Sequence, residues 1–571
     1  MLSGRAHKVI IRSQRTNYDL VNLRITIGAG FGEFGRAKLQ GIKEHSAQQI
    51  GNTLISLEIA PNTEDAARLI MSWRNNPDTL ANSFDSQPKQ WPAFFTEYLE
   101  KYLTDPTLPC LFILQNGKRV GLIRFRRWSQ LIDGKRACDI SINVSPSDRG
   151  HGIAAPALVA ATQLARAAGV EVVVADIKPH NKASARVFEQ AGFSFVAEVN
   201  HRGHQVSRFC KSTIATAQLQ SGRHIGPGYP CFIIAEAGSN WRMGTPARDM
   251  KMAKTLIDIA AESGADAVKF QTYKPQTTYV SNAGTSDYLS DNGIQESITD
   301  IFTDLAMPYE MLPELADYAR RQNILFMSSP FSPADFAAID PYTDIHKIAS
   351  YEISHSRLIE AAARANKPAV LSTGASDLAD IEWAVNHFQS MSKAVLCLMQ
   401  CTARYPAPLS SLNLGTIPLM RAKFGLPVGL SDHTRDPITG PLAAVALGAN
   451  LIEKHYTMHN GLPGPDHAFA IEPDELKSMV KAIRNAESVF GSGHKDVQPE
   501  EEELYWYARR GLQAIKPIAK GDLFEEGINL EILRPGKQKR GVHPRHLTDA
   551  QNRHSKRDIA IGDGIQLEDF S

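Results

Sequence analysis

The strongest pattern in the chain lies between positions 231 and 456, where short apolar runs recur with helix-spaced segments between most of them. The runs occupy 232–237, 267–272, 325–329, 347–350, 369–373, 394–402, 428–433 and 451–456. Helical patterns such as 247–263 and 356–365 separate them. Eight strands alternating with helices over about 250 residues predict a (β/α)8 TIM barrel spanning 231–490. Upstream, 54–200 alternates shorter strand-like and helical runs, which predicts a separate mixed α+β domain. The polar stretch 201–230 reads as a linker. The first 53 residues are polar and weakly periodic, and read as a flexible extension. Charged residues in 495–503 mark a second linker (491–507) before a small, β-rich C-terminal domain at 508–571.

Composition narrows the classes. In 571 residues, 62 Lys plus Arg stand against 61 Asp plus Glu, a net charge of +1, so no global basic field is available to gather nucleic acid. Hydrophobic residues at 43% suffice for large cores, yet no apolar run reaches the roughly 18 residues a membrane span needs. No apolar h-region follows the basic N-terminus, and the six cysteines form no CxxC pair. These features point to a multidomain cytoplasmic protein with small-molecule partners, neither nucleic acid nor membrane. The run Gly30-Phe-Gly32-Glu-Phe-Gly35 fits GxGxxG, but no βαβ unit surrounds it, so it is read as part of the extension.

Chemistry gathers where the barrel strands end, the face on which such barrels build their sites. His433 and His455 end the seventh and eighth strands and can converge on one divalent metal. The accompanying oxygen ligands favour Mn²⁺ or Mg²⁺. Lys269 and Lys347, with Ser329, Ser350, Ser372 and Ser431, supply donors for a small phosphorylated anion. Glu236, Glu352 and Asp466 are carboxylates for hydroxyl binding or proton transfer, and Gln271 and Tyr405 complete the ring.

These residues sit in ordered motifs: Ile234-Ala-Glu-Ala-Gly-Ser-Asn240, Gly264-Ala-Asp-Ala-Val-Lys-Phe-Gln271, Ser329-Pro-Phe-Ser332, Lys347-Ile-Ala-Ser350, Leu371-Ser-Thr-Gly374, Gly429-Leu-Ser-Asp-His-Thr434, Ile452-Glu-Lys-His455 and Gly464-Pro-Asp466. Together they resemble the sialic acid (nonulosonate) synthase family. The resemblance implies condensation of phosphoenolpyruvate with an open-chain N-acetylated hexosamine, releasing phosphate. It would place a metal on His433 and His455, and phosphoenolpyruvate on Lys269, Ser329, Lys347, Ser350, Ser372 and Ser431. Glu236, Glu352, Tyr405 and Asp466 would face the sugar, and Glu352 would assist water addition. Trp241 and Ala403-Arg404 depart from the family pattern, at positions expected to sense the sugar's substituents. The run Gly541-Val-His-Pro544 leans toward pseudaminic acid synthases and Gly464-Pro-Asp-His467 toward neuraminic and legionaminic ones, so both N-acetylmannosamine and a 2,4-diacetamido-trideoxyhexose stay open.

Two further resemblances flank the barrel. Residues 508–571 resemble the antifreeze-like SAF module of these synthases, which implies a domain-swapped homodimer with Arg534 reaching the sugar. In 54–200, Arg149-Gly-His-Gly-Ile-Ala154, Trp73-Arg74-Asn75, Asn181-x-x-Ser184 and Gly192-Phe193 resemble GNAT acetyltransferases. That implies acetyl-CoA held by Arg149, Gly150, Gly152, Ala154 and Asn181, and an amino-sugar acceptor. Phe188 stands where many relatives place a general-acid Tyr, and Asp139 is a candidate base. Two alternatives remain: a non-catalytic acetyl-CoA sensor at the N-terminus, and a keto-deoxy sugar phosphate synthase, against which the C-terminal module argues.

Overall fold

The computed structural model describes residues 54–128, 132, 135–201, 203–285, 297–491 and 495–570, together with the backbone of two strands at 10–12 and 22–24. The glycine run at 30–35 lies outside the described residues. The chain divides into two compact units, 1–493 and 494–571.

The first unit opens with a nine-stranded sheet. Its strands are β1 (Ile10–Arg12), β2 (Asn22–Arg24), β3 (Leu54–Ile59), β4 (Leu111–Gln115), β5 (Lys118–Arg127), β6 (Ala137–Val144), β7 (Val172–Ile177), β8 (Ser194–His201) and β9 (His204–Ser212), in the spatial order β2-β1-β3-β4-β5-β6-β7-β9-β8. Only β6 and β7 run parallel, and they pair only through 137–139 against 172–174. Beyond that point β6 stays on β5 and β7 on β9, so the two diverge and leave a wedge-shaped gap in the sheet. The helix Ala154–Ala167 covers one face, burying Ala157, Leu158, Ala160 and Ala161 against Val173, Ala175 and Ile177. Helices Glu64–Arg74 and Ala93–Tyr102 cover part of the other.

The expected linker at 201–230 is not one. Its first third is β9, which pairs with both β7 and β8. The polar reading arose because only Val206 and Phe209 of that strand are buried. Next, β10 (Ala217–Gln218) and β11 (His224–Ile225) form a small hairpin. It sends Ala217, Leu219 and Ile225 into the apolar cluster that fills the barrel's lower interior.

The barrel forms as expected. Strands β12 (Phe232–Gly238), β13 (Ala267–Thr272), β14 (Leu325–Pro330), β15 (His346–Ile348), β16 (Ala369–Ser372), β17 (Leu396–Cys401), β18 (Val428–Asp432) and β19 (Leu451–His455) are parallel and ordered β14-β13-β12-β19-β18-β17-β16-β15, so first and last strands are neighbours. Period-2 alternation explains what each strand does. On β12, Ile233, Ala235 and Ala237 meet the helix layer, while Phe232, Ile234 and then Glu236 point inward. On β13 the inward series is Ala267, Lys269, Gln271, and on β19 it is Leu451, Glu453, His455. On β12, β13 and β19 the inward series is apolar at the strand start and polar at its end. Among the described residues no helix is long and apolar enough to cross a membrane.

The N-terminal domain and barrel are fastened together. Arg166, at the end of the helix Ala154–Ala167, donates to the Ala422 and Lys423 carbonyls at 3.2 and 3.1 Å, covering the C-terminus of the barrel helix Thr416–Phe424. Gly425 closes that helix with φ +69°, and a Cβ there would collide with the Arg166 guanidinium. Ala215 N–H donates to the Gly425 carbonyl at 2.8 Å, and Arg421 pairs with Glu171 at 3.2 Å.

In the second unit, β20 (Gly511–Ala514) and β21 (Leu530–Leu533) pair antiparallel around Leu512, Ile518, Phe524 and Ile565. The expected linker at 491–507 also needs correction: the helix Glu502–Tyr507 is tied to this unit by Gly536 N–H on the Tyr507 carbonyl and Arg540 on the Tyr505 carbonyl. The polar reading arose because none of its residues is buried; Arg540 lies over the Tyr505 and Trp506 rings at 4.6 and 4.8 Å.

Arg166→Ala removes two donors from carbonyls at a buried junction and is expected to cost about 1–3 kcal/mol. A drop in the thermal midpoint of the first unit checks this; an unchanged midpoint contradicts it.

Candidate active site

A cavity of about 1810 Å³ opens at the carboxyl ends of the barrel strands. Glu236, Lys269, Gln271, Ser329, Lys347, Ser350, Glu352, Ser372, Tyr405, Ser431, His433, His455 and Asp466 all line it. The strand register does the assembling: Glu236 lies opposite Lys269 and His455, and Ser431 opposite Glu453.

Its floor is a buried charge cluster. Lys269 Nζ lies 2.6 Å from Glu236 Oε2 and 3.1 Å from Ser329 Oγ. Lys347 Nζ donates to both oxygens of Glu453 at 2.7 Å, and Ser431 Oγ donates to Glu453 at 3.0 Å. Lys269 also reaches Glu453 at 3.7 Å. All four charged side chains are at most 4% exposed. Burial opposes the charge on Glu453, but Lys269 and Lys347 outweigh it and hold the carboxyl well below the usual carboxylate range. Glu236 is pushed up to about 7 by burial and by Glu453, against the pull of Lys269.

Glu453 was absent from the sequence-derived set. It sits between Ile452 and Lys454 in a quoted motif, and only period-2 alternation, which turns Glu453 and His455 inward and Lys454 outward, could have singled it out. Lys454 is buried too, outside the barrel lumen, on Asp432 at 2.8 Å and on the Asp436 carbonyl at 2.9 Å, and so secures the turn that carries His433.

The two histidines converge, with ring centroids 5.4 Å apart. His433 Nδ1 lies 2.9 Å from the Thr402 carbonyl, which fixes the tautomer with its lone pair on Nε2. Tyr405 stacks on the His433 ring at 4.1 Å. Burial pushes His433 down to about 3, and His455 well below its ordinary value as well. His455 Nδ1 and Ser372 Oγ are buried without a hydrogen-bond partner among the described residues. Buried polar atoms without partners are uncommon, and two at one end of one cavity mark a place built for a polar ligand. Two neutral imidazoles, one with an orphaned nitrogen, fit a divalent cation. Among the described residues no group of three or more His, Cys, Asp or Glu could hold one, so further ligands would come from substrate or water.

Asp466 accepts from Ser239 N–H and Oγ at 3.1 and 3.0 Å, and burial raises its carboxyl. Gly238, with φ +53°, leaves room for it: a Cβ there would lie 2.6 Å from Asp466 Oδ2. Glu352, in the short turn Ser350–Glu352, is pushed up to about 7 by burial, with Asp335 adding. Trp241 does not face the cavity as expected: it is 2% exposed, within the layer between strands and helices. Its neighbour Arg242 lines the cavity instead, paired with Asp249 and Asp304, and Ala403 and Arg404 line it as expected.

In the N-terminal domain the turn after β6 is open. Gly150 and Gly152 take φ +79° and +70°, with nothing near where a Cβ would stand. The helix beginning at Ala154 has no side-chain cap, so its first N–H groups are available to an anion. The Arg149 side chain turns instead to Thr79 Oγ1 at 2.6 Å and Asp78 at 3.5 Å. Asn181 is likewise committed: it caps the helix Lys182–Gln190 through Ser184 N–H at 3.1 Å, which accounts for the Asn-x-x-Ser spacing. Phe188 is buried against Phe193, and Asp139 pairs with Arg126. Arg534 is exposed just after β21 in the second unit.

Comparison with known proteins settles the family. Residues 256–495 match the NeuB family, and 57–194 match the acetyltransferase (GNAT) domain. The spore coat polysaccharide biosynthesis protein SpsE of Bacillus subtilis is 38% identical over 370 residues, 61% of this chain and 96% of that one. The chain belongs to the NeuB family. N,N'-diacetyllegionaminic acid synthase of Campylobacter jejuni is 39% identical over 310 residues, covering 53% of this chain and 90% of that protein. Pseudaminic acid synthase of the same species is 32% identical over 342 residues, covering 59% and 96%. This chain therefore joins a NeuB-family barrel to a GNAT domain.

Glu453→Ala strips the shared counter-charge from two buried lysines and is expected to cost about 3–5 kcal/mol of barrel stability. A lowered urea midpoint checks it; a midpoint equal to wild type overturns it. For Glu352 the folded carboxyl lies above its ordinary 4.5, so its contribution is full below about pH 4.5 and is lost as pH rises through about 7. With solvent screening the loss is on the order of 2 kcal/mol. Urea titrations between pH 4 and 8 are expected to show this slope in wild type and less of it in Glu352→Gln.

Proposed function

We propose that the barrel condenses phosphoenolpyruvate with the aldehyde of an open-chain N-acetylated hexosamine and releases phosphate. The observation that carries this reading is the pair of unpartnered buried atoms, Ser372 Oγ and His455 Nδ1, beside two buried lysines. Ser372 Oγ, with Ser329, Ser350, Ser431, Lys269 and Lys347, supplies the donors a phosphate and a carboxylate need, in a site where Coulomb terms are strong. In this reading His433 and His455 hold a divalent cation of the Mn²⁺ or Mg²⁺ class. When bound, it supplies Lewis-acid polarisation of the aldehyde oxygen.

The chain's own residues do the rest. Lys269 and Lys347 fix the phosphate so that carbon 3 of phosphoenolpyruvate faces the aldehyde carbon, and the new carbon–carbon bond draws its electron pair from the enol. Positive charge then develops at carbon 2, beside the carboxylates of the floor. Glu352, with its carboxyl near neutrality, takes the proton of the water that adds there. The resulting hemiketal phosphate breaks its carbon–oxygen bond and phosphate leaves. Glu236, Gln271, Tyr405 and Asp466 meet the sugar's hydroxyl and amide groups.

The GNAT domain, with acetyl-CoA on the turn 150–154, acetylates an amine of the sugar or its nucleotide-linked form. A second acetylated amine favours a 2,4-diacetamido-trideoxyhexose over N-acetylmannosamine, in keeping with the legionaminic and pseudaminic acid synthases among the relatives. One observation favours a sensor instead: the buried Phe188 leaves the usual acid position empty. The C-terminal unit, read as a SAF-like cap, would place Arg534 over the barrel of a partner subunit in a homodimer.

Phosphate release, screened with N-acetylmannosamine and with the 2,4-diacetamido-trideoxyhexose precursors of legionaminic and pseudaminic acid, is expected from at least one. His433→Ala and His455→Ala are each expected to lower metal-dependent release by about 100-fold or more. No release from any sugar defeats the synthase reading, and full activity in either variant defeats the metal assignment.

A further inference from the structure

The sheet of the N-terminal domain holds a second cluster that the barrel chemistry does not use. His201, the last residue of β8, places Nδ1 2.6 Å from Asp176 Oδ2. Asp176 is 6% exposed and is gripped by Arg208, whose Nε and Nη2 donate to its two oxygens at 2.8 Å each. The carboxylate therefore cannot rotate away. Arg208 Nη2 lies 3.5 Å from the same His201 Nδ1; with the Nδ1 proton on the carboxylate side, Nε2 keeps its lone pair. Phe84 lies parallel to the imidazole at 6.0 Å, and the ring is 17% exposed.

The position of this pair matters as much as its geometry. Asp176 lies on β7 two residues past Val174, the last residue that pairs with β6, at the edge of the gap between the strands. Val173, Ala175 and Ile177 face the helix Ala154–Ala167, so Asp176 projects to the opposite face. A coenzyme whose pyrophosphate rests on the turn 150–154 can extend its acyl arm into the gap from one side, and the dyad waits on the other. Trp128 borders the same group: Arg208 lies 5.0 Å from its ring, and its indole N–H meets no acceptor among the described residues. Asp139, the carboxylate singled out from the sequence, is held by Arg126.

We propose that the His201–Asp176 dyad is the general base of acetyl transfer in this domain, with Phe84 and Trp128 framing the acceptor amine; this rests on reading the domain as an acetyltransferase. The amine nitrogen attacks the thioester carbonyl carbon of acetyl-CoA, forming the carbon–nitrogen bond. The tetrahedral adduct collapses with rupture of the carbon–sulfur bond, and the thiolate of coenzyme A leaves. His201 Nε2 takes the nitrogen's proton and returns it to the departing sulfur, so one group fills the role that Phe188 vacates.

The test uses the full chain, acetyl-CoA and two probes, a 4-amino-4,6-dideoxy-N-acetylhexosamine and its UDP-linked form, with thiol release as the readout. His201→Ala is expected to lower kcat by about 100-fold or more while the KM for acetyl-CoA stays within about twofold. Added imidazole is expected to restore part of the rate. His201→Gln, which preserves a donor toward Asp176, is expected to be equally slow, and phosphate release by the barrel is expected to be unchanged in both variants. Wild-type rates in both variants overturn the dyad alone and leave the acetyltransferase reading standing. A loss that imidazole does not relieve, or that comes with a collapse of acetyl-CoA binding, also overturns it, because a structural role would act that way. No thiol release by wild type with either probe overturns both readings.

Discussion

The barrel is organised around four buried charges that can exist only together. Lys269 and Lys347 would each be costly to hold in a dry lumen, and so would Glu236 and Glu453. Placed on β13, β15, β12 and β19, they neutralise one another within hydrogen-bonding distance, and Glu453 serves both cations. The strand register sets this balance, since Glu236 lies opposite Lys269. A slip of one residue would turn one of them into the helix layer and leave its partner uncompensated. The apolar plug below, completed by the hairpin β10–β11, keeps water from entering beneath the cluster. The cluster thus constrains both the architecture and the electrostatics of the cavity above it.

The neutral histidines follow from the same setting. Burial beside Lys269 and Lys347 disfavours imidazolium, so His433 and His455 present lone pairs rather than positive charge. The Thr402 carbonyl and the Tyr405 ring hold His433 in orientation, and Lys454 anchors the turn behind it. The N-terminal domain reaches this region through packing. One helix begins at the open glycine turn and ends at Arg166, which covers the end of the barrel helix just before β18. The two domains are thereby joined at a junction where Gly425 is the residue that fits.

Much of this was legible before any coordinates. The eight strand runs and the ring of polar residues at their ends were evident because a barrel strand shows apolar residues to both layers and changes character only at its carboxyl end. The turn at 149–154 was legible because glycines with positive φ before a helix have few other uses. Other residues misled for local reasons. Asn181 looked like a ligand contact and is a helix cap, since both roles need the same short polar side chain. Trp241, one position from the cavity-lining Arg242, faces the core, and spacing within a loop does not fix direction. The strand β9 looked like linker because an edge-side strand with one solvated face is mostly polar.

The sequence by itself determined the element types, the barrel and most of the charged and hydroxyl residues at the strand ends, because these depend on periodicity and on motifs a few residues long. Only the tertiary structure decided the partnerships: Glu453 between two lysines, Asp466 against Gly238, Arg166 on the barrel helix, and His201 on Asp176. The last of these joins residues 25 positions apart, and the Arg166 contact residues about 256 apart. Such pairings depend on which face each strand turns inward and on how far apart two strands lie, and neither is written in local sequence.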